Sequence, residues 1–135
     1  MKQEELQKKY MEYQMISQKI QQLQQQLQSS EQQMADIMAT LQSLDEYKEL
    51  NEGDEILFPL NNGIFGKAAL KKSDNLLVNV GTGTVVNKPI DATKELIEKQ
   101  KEEMEHIRSQ IDEKIKELAN RASGLEEELS SAAKA

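Results

Sequence analysis

The residues able to do chemistry in this chain are few and scattered. His106 is the sole histidine, and it stands beside Glu102, Glu103 and Glu105, residue types that can bind a metal. Zinc wants several nitrogen or sulfur ligands and calcium a loop of oxygens, so one imidazole among glutamates reads as a solvated helix face. Glu126-Glu127-Glu128 reads the same way, rather than as paired catalytic carboxylates. Gly81-Thr82-Gly83 is a fragment of a dinucleotide fingerprint, but no helix follows it and a hairpin turn accounts for the glycines. There is no cysteine, hence no thiolate chemistry and no disulfide framework, a composition compatible with a reducing cytosol. The expectation is a protein that is not an enzyme, with no cofactor, no metal and no catalytic residue.

Composition narrows the shape and the partners. Apolar residues make up 37% of the 135 and aromatics 4%, with no Trp, which is little bulky material for a thick globular interior. The formal net charge is −7. Residues 1–50 hold 5 basic against 8 acidic side chains, 51–90 hold 4 against 4, and 91–135 hold 8 against 12. A nucleic-acid partner needs a basic stripe that neither acidic outer segment carries. No stretch of about 18 apolar residues occurs, and the reading is a soluble, cytoplasmic protein without a membrane partner.

What the outer segments do carry is a heptad pattern. Tyr13, Ile16, Ile20, Leu23, Leu27, Met34, Ile37, Leu41 and Leu44 follow alternating steps of three and four, interrupted only by Ser30. As a and d positions they make about four to five heptads, with Leu6 extending the series and Lys9 failing it. No Pro or Gly falls before Leu50, and a helix over 1–50 would be roughly 75 Å long. The glutamine run from Gln21 to Gln28 stays in register, because Leu23 and Leu27 keep the seam apolar while the glutamines face outward. In the last segment, Ile97, Met104, Ile107, Ile111, Ile115, Leu118, Ala122, Leu125 and Leu129 repeat the pattern, and two consecutive steps of four at Ile107, Ile111 and Ile115 resemble a stutter. Asp91 is the expected N-cap of this second helix. Gly124 should weaken its final turns.

Between the helices the period changes. Glu55–Leu60, Ile64–Leu70, Leu76–Val80 and Thr84–Lys88 are short runs rich in β-branched and aliphatic residues, each bounded by turn formers. Asn61-Asn62-Gly63 and Gly81-Thr82-Gly83 are suited to hairpin connections with positive φ. Pro59 marks the first strand as an edge candidate, since it has no donor for a central ladder. A body of about 38 residues is too small to stabilise itself easily, so it should oligomerise. The fold expected is therefore mainly α with a small β body: a long antiparallel coiled-coil helical hairpin, 1–50 and 91–135, with two β-hairpins over 51–90, oligomerising through the β bodies.

This arrangement resembles the α class of prefoldin subunits over nearly the entire chain. The most specific stretches are Gly53-Asp54-Glu55-Ile56-Leu57-Phe58-Pro59-Leu60, Gly63-Ile64-Phe65-Gly66-Lys67-Ala68, and Val78-Asn79-Val80-Gly81-Thr82-Gly83-Thr84-Val85-Val86. Asn61-Asn62 and Thr84 depart from the family's usual residues, in or beside turns. The resemblance implies an ATP-independent holdase, a hexamer of two α and four β subunits that grips non-native proteins at coiled-coil tips and delivers them to a group II chaperonin.

Read from the residues, the candidates for client contact are Leu6, Tyr10, Met11, Met15, Leu125 and Leu129, which lie near the end where both termini emerge. Leu6, Leu125 and Leu129 can also be read as packed seam positions, the reading favoured for Leu125 and Leu129 and for Tyr13. Tyr10, Met11 and Met15 fall outside the a and d series, and can be client contacts or scattered exposed residues. For oligomerisation through the β body the candidates are Ile56, Phe58, Ile64, Phe65, Leu76, Val78, Val80 and Val86, each of which could instead be local core. Two rivals share the outline: a structural coiled coil that forms homo-oligomers or filaments through its β body, and a nucleic-acid-binding helical arm, against which the net charges of −3 and −4 on the two arms argue.

Overall fold

The computed structural model describes residues 2–134. Helix α1 spans Gln3–Glu49, strands β1 to β4 span Glu55–Asn61, Ile64–Ala69, Asn75–Asn79 and Val85–Pro89, and helix α2 spans Ile90–Lys134. The strands form two separate two-stranded antiparallel sheets, β1 with β2 and β3 with β4, and no closed sheet. Two long helices with two hairpins between them are the architecture the heptads and turn residues called for.

Two compact units divide the chain, one of residues 1–35 with 102–135 and the other of residues 36–101. In the first, Ile16, Leu23 and Leu118 form a buried cluster against which Ile20, Ile111, Ile115, Ala122 and Leu125 pack. The helices run antiparallel there, because Lys9 pairs with Glu128 at 2.5 Å, Glu12 with Arg121 at 2.7 Å and Glu31 with Arg108 at 3.7 Å. Within the second unit the same sense holds, with Asp45 on Lys94 at 2.9 Å and Lys48 on Asp91. Such exposed pairs contribute at most about 1 kcal/mol each. The stability of the helical pair therefore rests on its apolar seam.

The seam differs from the sequence reading at one layer. Ile107 is 45% exposed, whereas Arg108 beside it is half-buried. Counting from Met104 through Arg108 to Ile111 and Ile115 restores alternating steps of four and three, so α2 carries no stutter. An arginine escapes a hydrophobicity count, yet its methylene stem covers apolar surface while the guanidinium reaches Glu31. Ser30, the interruption in α1, is buried, and its hydroxyl donates to the Leu27 carbonyl at 2.6 Å. That bond satisfies a polar group at a position built for leucine. Lys9 likewise sits half-buried in register, held by Glu128.

The turns match their residues. Asn61, Asn62 and Gly63 have φ of 131°, 51° and 78°, and Gly81, Thr82 and Gly83 have 114°, 50° and 76°, left-handed values that suit Gly and Asn and that the β-branched Thr82 alone adopts against its preference. Pro59 pairs with Phe65 just before a register shift between Pro59 and Asn61, a bulge where a missing donor costs little. The second helix starts one residue before its expected cap. Ile90 is already helical and donates to the Asp74 carbonyl at 3.0 Å, which leaves Asp91 inside the first turn with its carboxylate on Lys48 instead of on the helix N-terminus. Past Gly124 the helix continues to Lys134.

Lys72, in the link between the hairpins, closes the end of α1. Its Nζ donates to the Lys48 carbonyl at 2.9 Å and to the Leu50 carbonyl, and stands 6.0 Å from the Tyr47 ring centre. The last carbonyls of a helix have no intrahelical partner and attract a cation. Tyr47 reinforces the join, its hydroxyl bonded to both the N–H and the carbonyl of Ser73 at 3.2 Å. Among the described residues no helix is long and apolar enough to cross a membrane.

Candidate functional site

Where α1 begins and α2 ends, the seam opens into an apolar cleft. Leu6, Tyr10, Met11 and Leu129 line it together with the aliphatic stems of Gln3 and Gln7. The heptad geometry explains the cleft. Leu6 and Leu129 lie near the end of the seam and are only half-buried, while Tyr10 and Met11 project from the flank of α1 into solvent. Large apolar side chains exposed at one end of a helical pair can take up apolar groups without any need for a deep pocket.

Not every sequence candidate joins this cleft. Met15, one turn further along α1, is 68% exposed but does not line it. Leu125 packs against the Ile16, Leu23 and Leu118 cluster, as a seam residue does. Near the cleft Lys9 pairs with Glu128 and Arg121 with Glu12. His106 is exposed on α2, and among the described residues no group of three His, Cys, Asp or Glu is placed to hold a metal.

A second apolar surface lies on the two hairpins. Pairing of Ile56 with Ala68, Leu76 with Lys88 and Val78 with Val86 defines on each sheet a half-buried face, and Ile56, Leu76, Val78 and Val86 belong to it. The opposite faces are exposed. Phe65 lies on that side of the first sheet, opposite Pro59, and Phe58, Ile64 and Val80 are exposed as well. Leu57, Leu60, Leu77 and Val85, which the sequence reading passed over, are also exposed, Leu77 to 76%. Strict alternation along each strand would have found Leu57, Leu77 and Val85, since a residue next to a half-buried one points to the other face, whereas Leu60 lies at the register shift between Pro59 and Asn61. Two-stranded sheets also leave every strand with an unpaired edge.

A family model for the prefoldin subunit matches residues 16–135. The prefoldin α subunit of Pyrococcus horikoshii is 30% identical over 134 residues, covering 93% of this chain and 90% of its own length. Those of Thermofilum pendens and Methanopyrus kandleri are each 30% identical over 74 residues, 55% of this chain. These matches take in 57% and 47% of the two relatives, so the chain spans about half the length of those curated relatives that it matches. Among solved structures, a chain of the filamentous PFD from Methanocaldococcus jannaschii superposes with a TM-score of 0.78 at 20% identity, over 88% of this chain and 98% of that one, a likeness in fold.

Proposed function

The chain belongs to the prefoldin family, and on that premise we propose that it is an α-class chaperone subunit that holds non-native polypeptides at the cleft of its helical pair without using ATP. The observation that carries the reading is the cleft lined by Leu6, Tyr10, Met11 and Leu129. A holdase must bind many unrelated sequences reversibly, and exposed Leu, Tyr and Met side chains supply area without a directional demand. Met15 extends the contact surface along α1.

The β hairpins are the assembly elements of this reading. Unpaired strand edges and exposed Leu57, Phe65, Leu77 and Val85 support docking of other subunits, both by strand addition and by apolar burial. The partners proposed are β-type subunits in a hexamer of two α and four β, with a group II chaperonin as recipient of the held client, in the cytoplasm. The same exposed sheet surface favours a second reading, self-association into filaments when the β-type partner is missing, because an interface that does not close on itself propagates.

The test is suppression of aggregation of a denatured model protein, without ATP, by the chain alone and mixed with a β-type subunit. Suppression that rises on mixing and falls in a Leu6→Ser, Tyr10→Ser double variant is the expected outcome, and it should survive high salt, since apolar contact is not screened. No suppression by either form would sink the holdase reading. Size exclusion of the chain alone showing only monomers would remove the filament reading.

A further inference from the structure

We infer that Met11 and Met15 form an oxidation-sensitive pair whose conversion to sulfoxide by peroxide weakens the client-binding surface; the inference rests on the holdase reading above. The two stand four residues apart on α1, hence on one face of the helix, and are 61% and 68% exposed. Met11 lines the apolar cleft. Met34 and Met104, in contrast, are half-buried along the seam. A thioether reacts according to its access to solvent, so the methionines at the binding surface are oxidised before those that hold the helices together.

The chemistry is balanced with a peroxide as the named oxidant. The thioether sulfur attacks one peroxide oxygen, an S–O bond forms as the O–O bond breaks, and the departing hydroxide takes a proton to become water. Sulfur loses two electrons and the peroxide gains them. The product is a flexible side chain with a strong dipole in place of an apolar one. Within the seam such a change would disrupt packing, but on a solvent-facing surface it leaves the helix standing and removes apolar contact area. Because sulfoxide is reducible enzymatically, the loss is reversible in principle, and the pair acts as a switch.

Met38 is exposed too, at 48%, but belongs to the unit that holds the hairpins and does not line the cleft, which makes it an internal control. The full chain, assembled with a β-type subunit, is treated with hydrogen peroxide and digested, and the sulfoxide content of each methionine is followed by mass spectrometry beside the aggregation assay. Met11 and Met15 should oxidise several-fold faster than Met34 and Met104. Treated wild type should lose about half or more of its suppression relative to its own untreated sample, whereas an M11L/M15L variant compared with its own untreated sample should lose little, although its Met38 still oxidises. An M11Q/M15Q variant should lower suppression with no oxidant. Equal rates at all four positions, or equal losses in wild type and M11L/M15L, would overturn the inference. Failure of the untreated wild type to suppress aggregation would overturn the holdase reading instead, while the oxidation rates would still decide whether the pair is selectively reactive.

Discussion

The phenyl ring of Phe58 lies over Gly66, its partner across the β1–β2 ladder, so closely that a β-carbon on Gly66 would clash with the ring's Cζ. The glycine is therefore a seat for the ring, a device that compensates a strand glycine for the side chain it lacks. Gly66→Ala should expel the ring into solvent and destabilise the hairpin by about 1 kcal/mol, despite alanine's better strand propensity. In a thermal-unfolding cycle with Phe58→Ala the two changes should be non-additive, since the second removes what the first displaces. Additive effects would show that the contact contributes nothing.

Arg108 occupies a seam position with its Nε buried and without a hydrogen-bond partner. An arginine that reaches an exposed glutamate, Glu31 at 3.7 Å, is a poor substitute for an apolar residue there. Arg108→Leu should raise thermal stability, by roughly 1 kcal/mol, while Ile107→Leu beside it should change little. A fall in the midpoint of Arg108→Leu would mean that the Glu31 pair outweighs the unsatisfied nitrogen.

Lys72→Met keeps most of the side chain's length and removes its charge and donors. The Lys48 and Leu50 carbonyls at the end of α1 then lose their cap, which should cost about 1 kcal/mol. Amide hydrogen exchange should show the excess opening in the last turn of α1 and in the Ser73 link, not in the 1–35 segment. Uniform destabilisation would locate the role of Lys72 elsewhere.

Two ion pairs should mark opposite ends of the pH range. The hydrogen bond from Lys48 holds the Asp91 carboxyl below its ordinary value of 3.8. A folded-state pKa below the unfolded one adds stability above the unfolded value and loses it as pH falls through the folded one. Asp91→Asn should therefore flatten the acid limb of a stability profile below about pH 4. Lys94 is raised above 10.5 by its hydrogen bond to Asp45, so its contribution is complete below that value and is lost as pH climbs through the folded pKa. Lys94→Met should flatten the alkaline limb and lessen the acid limb only slightly, because Lys94 is the weakest of the influences on Asp91.

Much of this architecture was legible beforehand because its determinants are local. Heptad spacing states which stripe of a helix is apolar whatever it packs against, and Asn61-Asn62-Gly63 and the two glycines that flank Thr82 favour positive φ through the covalent structure of the residues themselves. Leu6, Tyr10, Met11 and Leu129 could be proposed together because a helical pair of matched arms brings the start of one helix to the end of the other.

Other features depend on partners remote in sequence, which no local pattern encodes. The choice of Arg108 over Ile107 for the seam turns on Glu31, and the diversion of Asp91 from helix capping turns on Lys48. Helix and turn were decided by propensity and period over a few residues. Which side chain of two neighbours is buried, and which carbonyl a lysine caps, was decided only by the tertiary structure, because each is a competition settled by what the opposing element offers.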